Sequence, residues 1–479
     1  MACRLPQRFL FLLALVMLAG PTHADDRLTA HFDDDLARVD ARLCFDGPAP
    51  DRLYRHDRAG EYASPLRRGG RPLTTRVDDD RVELPELPDN ACVEWTVDLQ
   101  RAVETGGYRT AFRSGDAVLA VTSLWLWKGP WRRPLLVRIG LPEGAAFSAP
   151  WPRVAEDAAV YRPVQTPSGW YARSAVGFFR EARLDVPGGT VALALLGDLD
   201  DGQADKLTRW VRRSLDAVTP VFGEFPRPHV QVVVVPTGPG REPVPWAHVL
   251  RGGGPAVQFY VDETRSLAEF DADWTATHEF SHLLLPYVSR RDRWLSEGLA
   301  SYYQNVLRAR DGRLSERQAW QKLYEGFQRG VSATRPETLA EAAAGGRGST
   351  MRVYWSGAAM LLQADAALRE RSGGAQTLDT ALARLRDCCW EDGKLWRARE
   401  LLATLDRLTG TDVFLEVYRD NVERPAFPDY GPTFDALGLE DKGGRIRIVE
   451  NASLAGVRAG IMKGDRGDNR PGPGSENAP

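Results

Sequence analysis

The stretch THEFSHLLLP, residues 277–286, holds two histidines and a glutamate within five residues of an apolar segment. On a helix, residues four apart stand one turn above the other, about 40° apart around the axis. His278 and His282 then point the same way, Glu279 sits to one side, and Ala276, Phe280, Leu283 and Leu284 form the opposite, packing face. Two neutral imidazoles presented in one direction suit two of the tetrahedral positions of zinc, while the neighbouring carboxylate can reach a metal-bound water. The ordinary alternative is a helix face with two coincidental histidines. Only seven histidines occur in the whole chain, so this spacing is hard to place by chance.

Two imidazoles are too few ligands, and the next segment offers a third. In RWLSEGLASYYQ, Glu297 opens a second helix among the bulky Trp294, Leu295 and Leu299. Burying an unpaired carboxylate is costly, so Glu297 needs a partner. A helix–turn–helix that returns it to the histidines yields His278, His282 and Glu297 around one zinc ion per chain, with one position open. That is the ligand set of a catalytic zinc, whereas a structural site is normally closed by four protein ligands. Gln304 lies seven residues beyond Glu297 on the same helix face. It is a candidate to hydrogen-bond a ligand, although a surface glutamine is the commoner case.

HEFSH at 278–282 followed by WLSEGLASYY at 294–303 resembles the gluzincin metallopeptidases, the M1 aminopeptidases and the M61 glycyl aminopeptidase-like group. The resemblance implies that His278, His282 and Glu297 bind zinc and that Glu279 is the general base. The segment VYWSGAAMLLQADAALRERSGG is similar to one in which a tyrosine three residues before a glycine stabilises the tetrahedral intermediate; that role maps to Tyr354. The likeness runs from residue 85 to residue 464. Two departures stand out. Fourteen residues, 283–296, separate His282 from Glu297, against about eighteen in the M1 pattern. The GxMEN motif, which binds a substrate's free amine in M1 enzymes, is missing. RGGGPAVQFYV stands in its place and could offer an edge strand to an extended peptide. Its three glycines suit either a close substrate backbone or a flexible loop.

The elements that must position these residues read as a multidomain chain. Residues 25–187 show short apolar alternations broken by Gly, Pro and Asp, as in CVEWTVDLQ and PLLVRIGLP, which predicts an antiparallel β-sandwich-like domain. The tryptophans of SLWLWKGPW fit core packing better than a ligand groove. From Gln203 the period becomes helical, and HVQVVVVP and AVQFYVDE read as buried strands. Residues 188–310 therefore read as a mixed α+β lobe carrying the metal motif, which the gluzincin resemblance implies is thermolysin-like, and 311–436 as an α-helical lobe. GRIRIVENASLAGVRAGIMKGDRG resembles the first half of a PDZ domain, giving a truncated PDZ-like segment over 437–464. DNRPGPGSENAP leaves 465–479 as a disordered tail.

Residues 1–24 have arginines at 4 and 8, an apolar run from Phe9 to Ala19 and an exit ending in Ala24. This is the layout of a signal peptide, predicting a periplasmic or secreted chain that begins near Asp25; an uncleaved anchor is the alternative. No later run is long enough to span a bilayer. The composition, 43% hydrophobic and 27% charged with net charge −3, gives no hint of a nucleic-acid partner, and nothing in it bears on oligomeric state. Cys44 and Cys92 are candidates for a disulfide in an oxidising compartment. The adjacent Cys388 and Cys389 could form only a vicinal bridge.

These features predict an exported zinc peptidase acting on peptides or proteins, aminopeptidase-like, with Glu279 and Tyr354 as its catalytic groups. A gluzincin-fold pseudoenzyme, or a peptide-binding envelope protein without hydrolytic activity, is the competing reading.

Overall fold

Along the strand Asp26–Phe32, Leu28, Ala30 and Phe32 are buried while their neighbours face solvent. This period-two pattern recurs in Arg38–Cys44 and Cys92–Asp98 and lets one face of a sheet form a core. The computed structural model describes residues 25–130, 133–155, 159–345 and 347–464. The expected signal peptide and tail lie outside them. The three strands belong to a seven-stranded sheet that faces a four-stranded one. All its pairings are antiparallel except that of Asp26–Phe32 with Leu135–Gly140, which is parallel. Trp125 and Trp127 are buried between the sheets, Trp127 stacked on Trp95 at 4.8 Å; Trp131 lies outside the described residues. Cys44 and Cys92 are cross-strand partners and form a disulfide, and Cys388 is joined to Cys389.

The next sheet runs β1 (Arg180–Val186), β2 (Gly189–Leu195), β3 (His229–Pro236), β4 (Trp246–Leu250) and β5 (Ala256–Val261), in the spatial order β1-β2-β3-β5-β4. The domain boundary expected at 187 falls in the turn of the β1–β2 hairpin. Backbone pairing of β1 with β2, and of β2 with β3, ties residue 180 onward to the second lobe. The edge strands are β1 and β4; RGGGPAVQFYV supplies the interior strand β5, which is buried along its whole length.

Helix α1 (Asp201–Val218) connects β2 to β3 and starts with a capping box between Asp200 and Gln203. Then come α2 (Thr275–Ser281), α3 (Arg293–Arg310), α4 (Glu316–Ser332) and α5 (Thr350–Arg371). Val191 and Leu195 of β2, Trp210 of α1, Phe280 of α2 and Leu299 of α3 share one core. The opposite face of the sheet packs Ala194 and Val233 against Leu119 and Ala175 of the N-terminal lobe.

The segment expected as a PDZ-like stub is built into the helical lobe. Leu439, Ile446, Ile461 and Met462 join the same core as α3 and α5. Arg458, 3% exposed, ties the segment down through Glu316 on α4, Glu450 and the Leu437 and Val449 carbonyls. Among the described residues no helix is long and apolar enough to cross a membrane.

Candidate metal centre

Helix α2 spans only seven residues and is buried throughout. His282 opens a 3-10 turn at its end, closed by Leu285 in extended backbone before Pro286. The short connector that follows is pinned in place. Val288 bridges to Trp396, Ser289 donates to the Trp396 carbonyl at 2.8 Å, and Asp292 pairs with Arg397. From there α3 turns back across α2 and carries Glu297 to the histidines.

Nε2 of His278 and Nε2 of His282 each lie 3.5 Å from Oε2 of Glu297. One ligand atom from each residue falls within 4.8 Å of the other two. The remaining ring nitrogens are occupied: Nδ1 of His278 meets Oε1 of Gln304 at 2.8 Å and Nδ1 of His282 meets Oγ of Ser296 at 3.0 Å. An amide oxygen only accepts, so His278 donates from Nδ1 and its neutral form keeps a lone pair on Nε2. Oε2 of Glu297 is buried and has no hydrogen-bond partner. Two aimed imidazole nitrogens beside an orphaned carboxylate oxygen are the donor set zinc takes. The residues present fit the ion.

Glu279 is 8% exposed. Burial raises its pKa, and the His278 and His282 imidazoles pull in the opposite direction. For Glu297, burial acts upward but is outweighed by His282 and His278, which hold the carboxyl well below its usual range. Tyr354 of α5 stacks nearly parallel to His278, with ring centroids 5.9 Å apart. Burial pushes its phenol up, and the Glu297 carboxylate beside it adds to the shift. Trp274 closes the other side, edge-on to His278 at 5.2 Å.

Tyr354 reaches the site because α3 and α5 cross at glycines. A Cβ on Gly298 would stand 2.5 Å from the Gly357 backbone, and one on Gly357 would stand 1.9 Å from the Trp294 carbonyl oxygen. Glu297 precedes the first glycine by one residue and Tyr354 precedes the second by three, so the crossing brings both to the histidines. A pocket of about 320 Å³ opens beside them, lined by Trp274, His278, Gln304 and Tyr354, with Arg308 in its wall. The five residues expected to form the site thus come together. Gln304 meets a histidine as its position allowed, while Ser296 and Trp274 had no distinguishing signal in the sequence.

Comparison with solved structures follows the same architecture. An aminopeptidase N family protein from Idiomarina loihiensis superposes with a TM-score of 0.67 at 14% identity, over 86% of this chain and 78% of its own. An M1 zinc metallopeptidase from Deinococcus radiodurans gives 0.54 at 15% identity, over 85% and 94%. A yeast LTA4 hydrolase in complex with bestatin gives 0.53 at 12% identity, over 84% and 68%. The fold is that of the M1 zinc aminopeptidases. No protein-family profile and no curated protein matches the sequence. The M1-like fold therefore stands on architecture, at identities too low for the sequence alone to carry it.

Proposed function

We propose that the chain is an exported zinc-dependent peptidase, aminopeptidase-like in action, in which His278, His282 and Glu297 hold the metal. The observation that carries this reading is the convergence of two imidazole Nε2 atoms on a buried carboxylate oxygen that no protein group satisfies. The M1-type architecture of the neighbours supports it. When bound, zinc supplies a Lewis acid that polarises the scissile carbonyl and acidifies water at the site. Glu279, adjacent to the first histidine, takes a proton from the attacking water and passes it to the leaving amine. Tyr354 donates a hydrogen bond to the oxygen on which charge develops. The free edge of β4 offers backbone groups to an extended peptide, the part first assigned to RGGGPAVQFYV. Export rests on the signal-like residues 1–24, and the first strand starts at Asp26, just past the expected cut.

Purified mature chain should hold about one zinc, as a His₂Glu site does, and His278→Ala should lose it. Glu279→Gln should keep the metal and lose roughly 10²–10⁴-fold in turnover. A mixed peptide library should show removal of single N-terminal residues; internal cuts would make the chain an endopeptidase. Bound zinc with no cleavage would leave the pseudoenzyme reading standing.

A further inference from the structure

A second cavity lies away from the metal ligands. It encloses about 840 Å³ between the N-terminal lobe near Trp151, the ends of β2 and β3, and the loop 390–394. Thr190 and Ala192 of β2 line it, while Val191 and Leu195 of the same strand face the core beneath α2. His278, Glu279, His282, Glu297 and Tyr354 are not among the residues that line it.

Its polar lining is short of partners. Arg251 spends Nη2 on the His282 carbonyl at 2.6 Å, yet Nη1 is buried without a partner and no ion pair forms on this residue among the described residues. Arg227 pairs with Asp392 at 3.1 Å and lies 4.0 Å over the Trp390 ring, but its Nε is buried and unpartnered. Nε2 of His229, in the same lining, is unpartnered too. Flat walls come from Trp390 and from Trp170, which packs edge-to-face with Tyr287 at 4.5 Å.

Desolvated guanidinium donors without acceptors are costly, and a planar guanidinium fork matches carboxylate and phosphate oxygens. A volume this large exceeds what a bare ion needs and falls in the range of small-molecule sites. We propose that this cavity binds a small organic anion, a carboxylate or phosphate carried on a flat ring, with Arg251 and Arg227 as anchors and the aromatic walls enclosing the ring. The inference is independent of peptidase activity.

Calorimetric titration of the purified full chain with phenyl phosphate tests it, with inorganic phosphate and benzyl alcohol as the two half-probes. Phenyl phosphate should bind one per chain, and each half-probe should bind at least about tenfold more weakly, because each lacks one of the two contacts. Arg227→Gln should weaken phenyl phosphate by about tenfold or more, with thermal melts and zinc content unchanged, and Arg251→Gln should weaken it likewise. Arg251 also holds the turn that carries His282, so Arg227→Gln decides the question if Arg251→Gln disturbs zinc. No binding at millimolar probe, binding that survives Arg227→Gln, or binding lost in His278→Ala would each overturn the proposal; the last would assign the probe to the metal centre.

Discussion

Gln304 does for His278 what Ser296 does for His282: it engages Nδ1 and leaves Nε2 aimed at Glu297. An imidazole free to rotate must pay conformational entropy before it can act as a ligand, and one held by a neighbour has already done so. Gln304→Ala should therefore weaken zinc by about 10–100-fold in a chelator competition, and Gln304→Glu, which keeps an acceptor at similar reach, should recover most of the loss. Unchanged affinity in the alanine variant would reduce Gln304 to packing. At this scale much was legible, because His278, Glu279, His282, Glu297 and Gln304 lie within two neighbouring helices and helical period alone puts them on facing sides. Ser296 was not, since a serine in the first turn of a helix has an ordinary reading there.

The crossing of α3 and α5 sets how far Tyr354 reaches. Gly298 and Gly357 bring the two backbones closer than any side chain would permit. Gly357→Ala places a methyl 1.9 Å from the Trp294 carbonyl oxygen, so the helices must separate. The expected cost is about 1–3 kcal/mol in denaturant unfolding. The same shift moves Tyr354 off the site, so turnover should fall while zinc stays bound; wild-type stability would show that the crossing tolerates the methyl. The tyrosine-to-glycine spacing was readable from sequence, but its reason lies in a partner glycine 59 positions earlier. Strand identity was harder still. Both β4 and β5 are short apolar-rich runs, and only the sheet order makes β4 an edge strand and β5 an interior one.

The whole molecule is joined along a seam that the sequence disguised. Gly252, Gly253 and Gly254 suited either a close substrate backbone or a flexible loop, and they abut the N-terminal lobe. Gly252 donates to the Tyr171 carbonyl at 3.1 Å, Gly253 donates to Thr166 Oγ1 at 2.9 Å, and the Gly253 carbonyl accepts from Val164 at 2.8 Å. Their neighbours sit some 80 to 100 positions earlier, a distance over which local pattern carries no information. The boundary expected at 187 falls within the β1–β2 hairpin for a related reason: β1 follows the N-terminal strands without a break in pattern, and only its pairing with β2 assigns it. The seam makes a strong demand at Gly254. Its φ of +152° is one that side chains rarely adopt, and a Cβ there would stand 2.0 Å from the Pro150 carbonyl oxygen. Gly254→Ala must therefore strain the backbone or push the lobes apart, at a cost of about 1–3 kcal/mol. Because β5 begins two residues later and pairs with β3 and β4, the strain should be relieved at the docking surface before the sheet gives way. The variant should melt earlier than wild type and be cut by limited proteolysis near Phe178 and Phe179, where the N-terminal sheets hand over to β1. A wild-type melt and digest would mean that the facing apolar surfaces of the two lobes, Leu119 and Ala175 against Ala194 and Val233, hold the molecule together without the glycine seam.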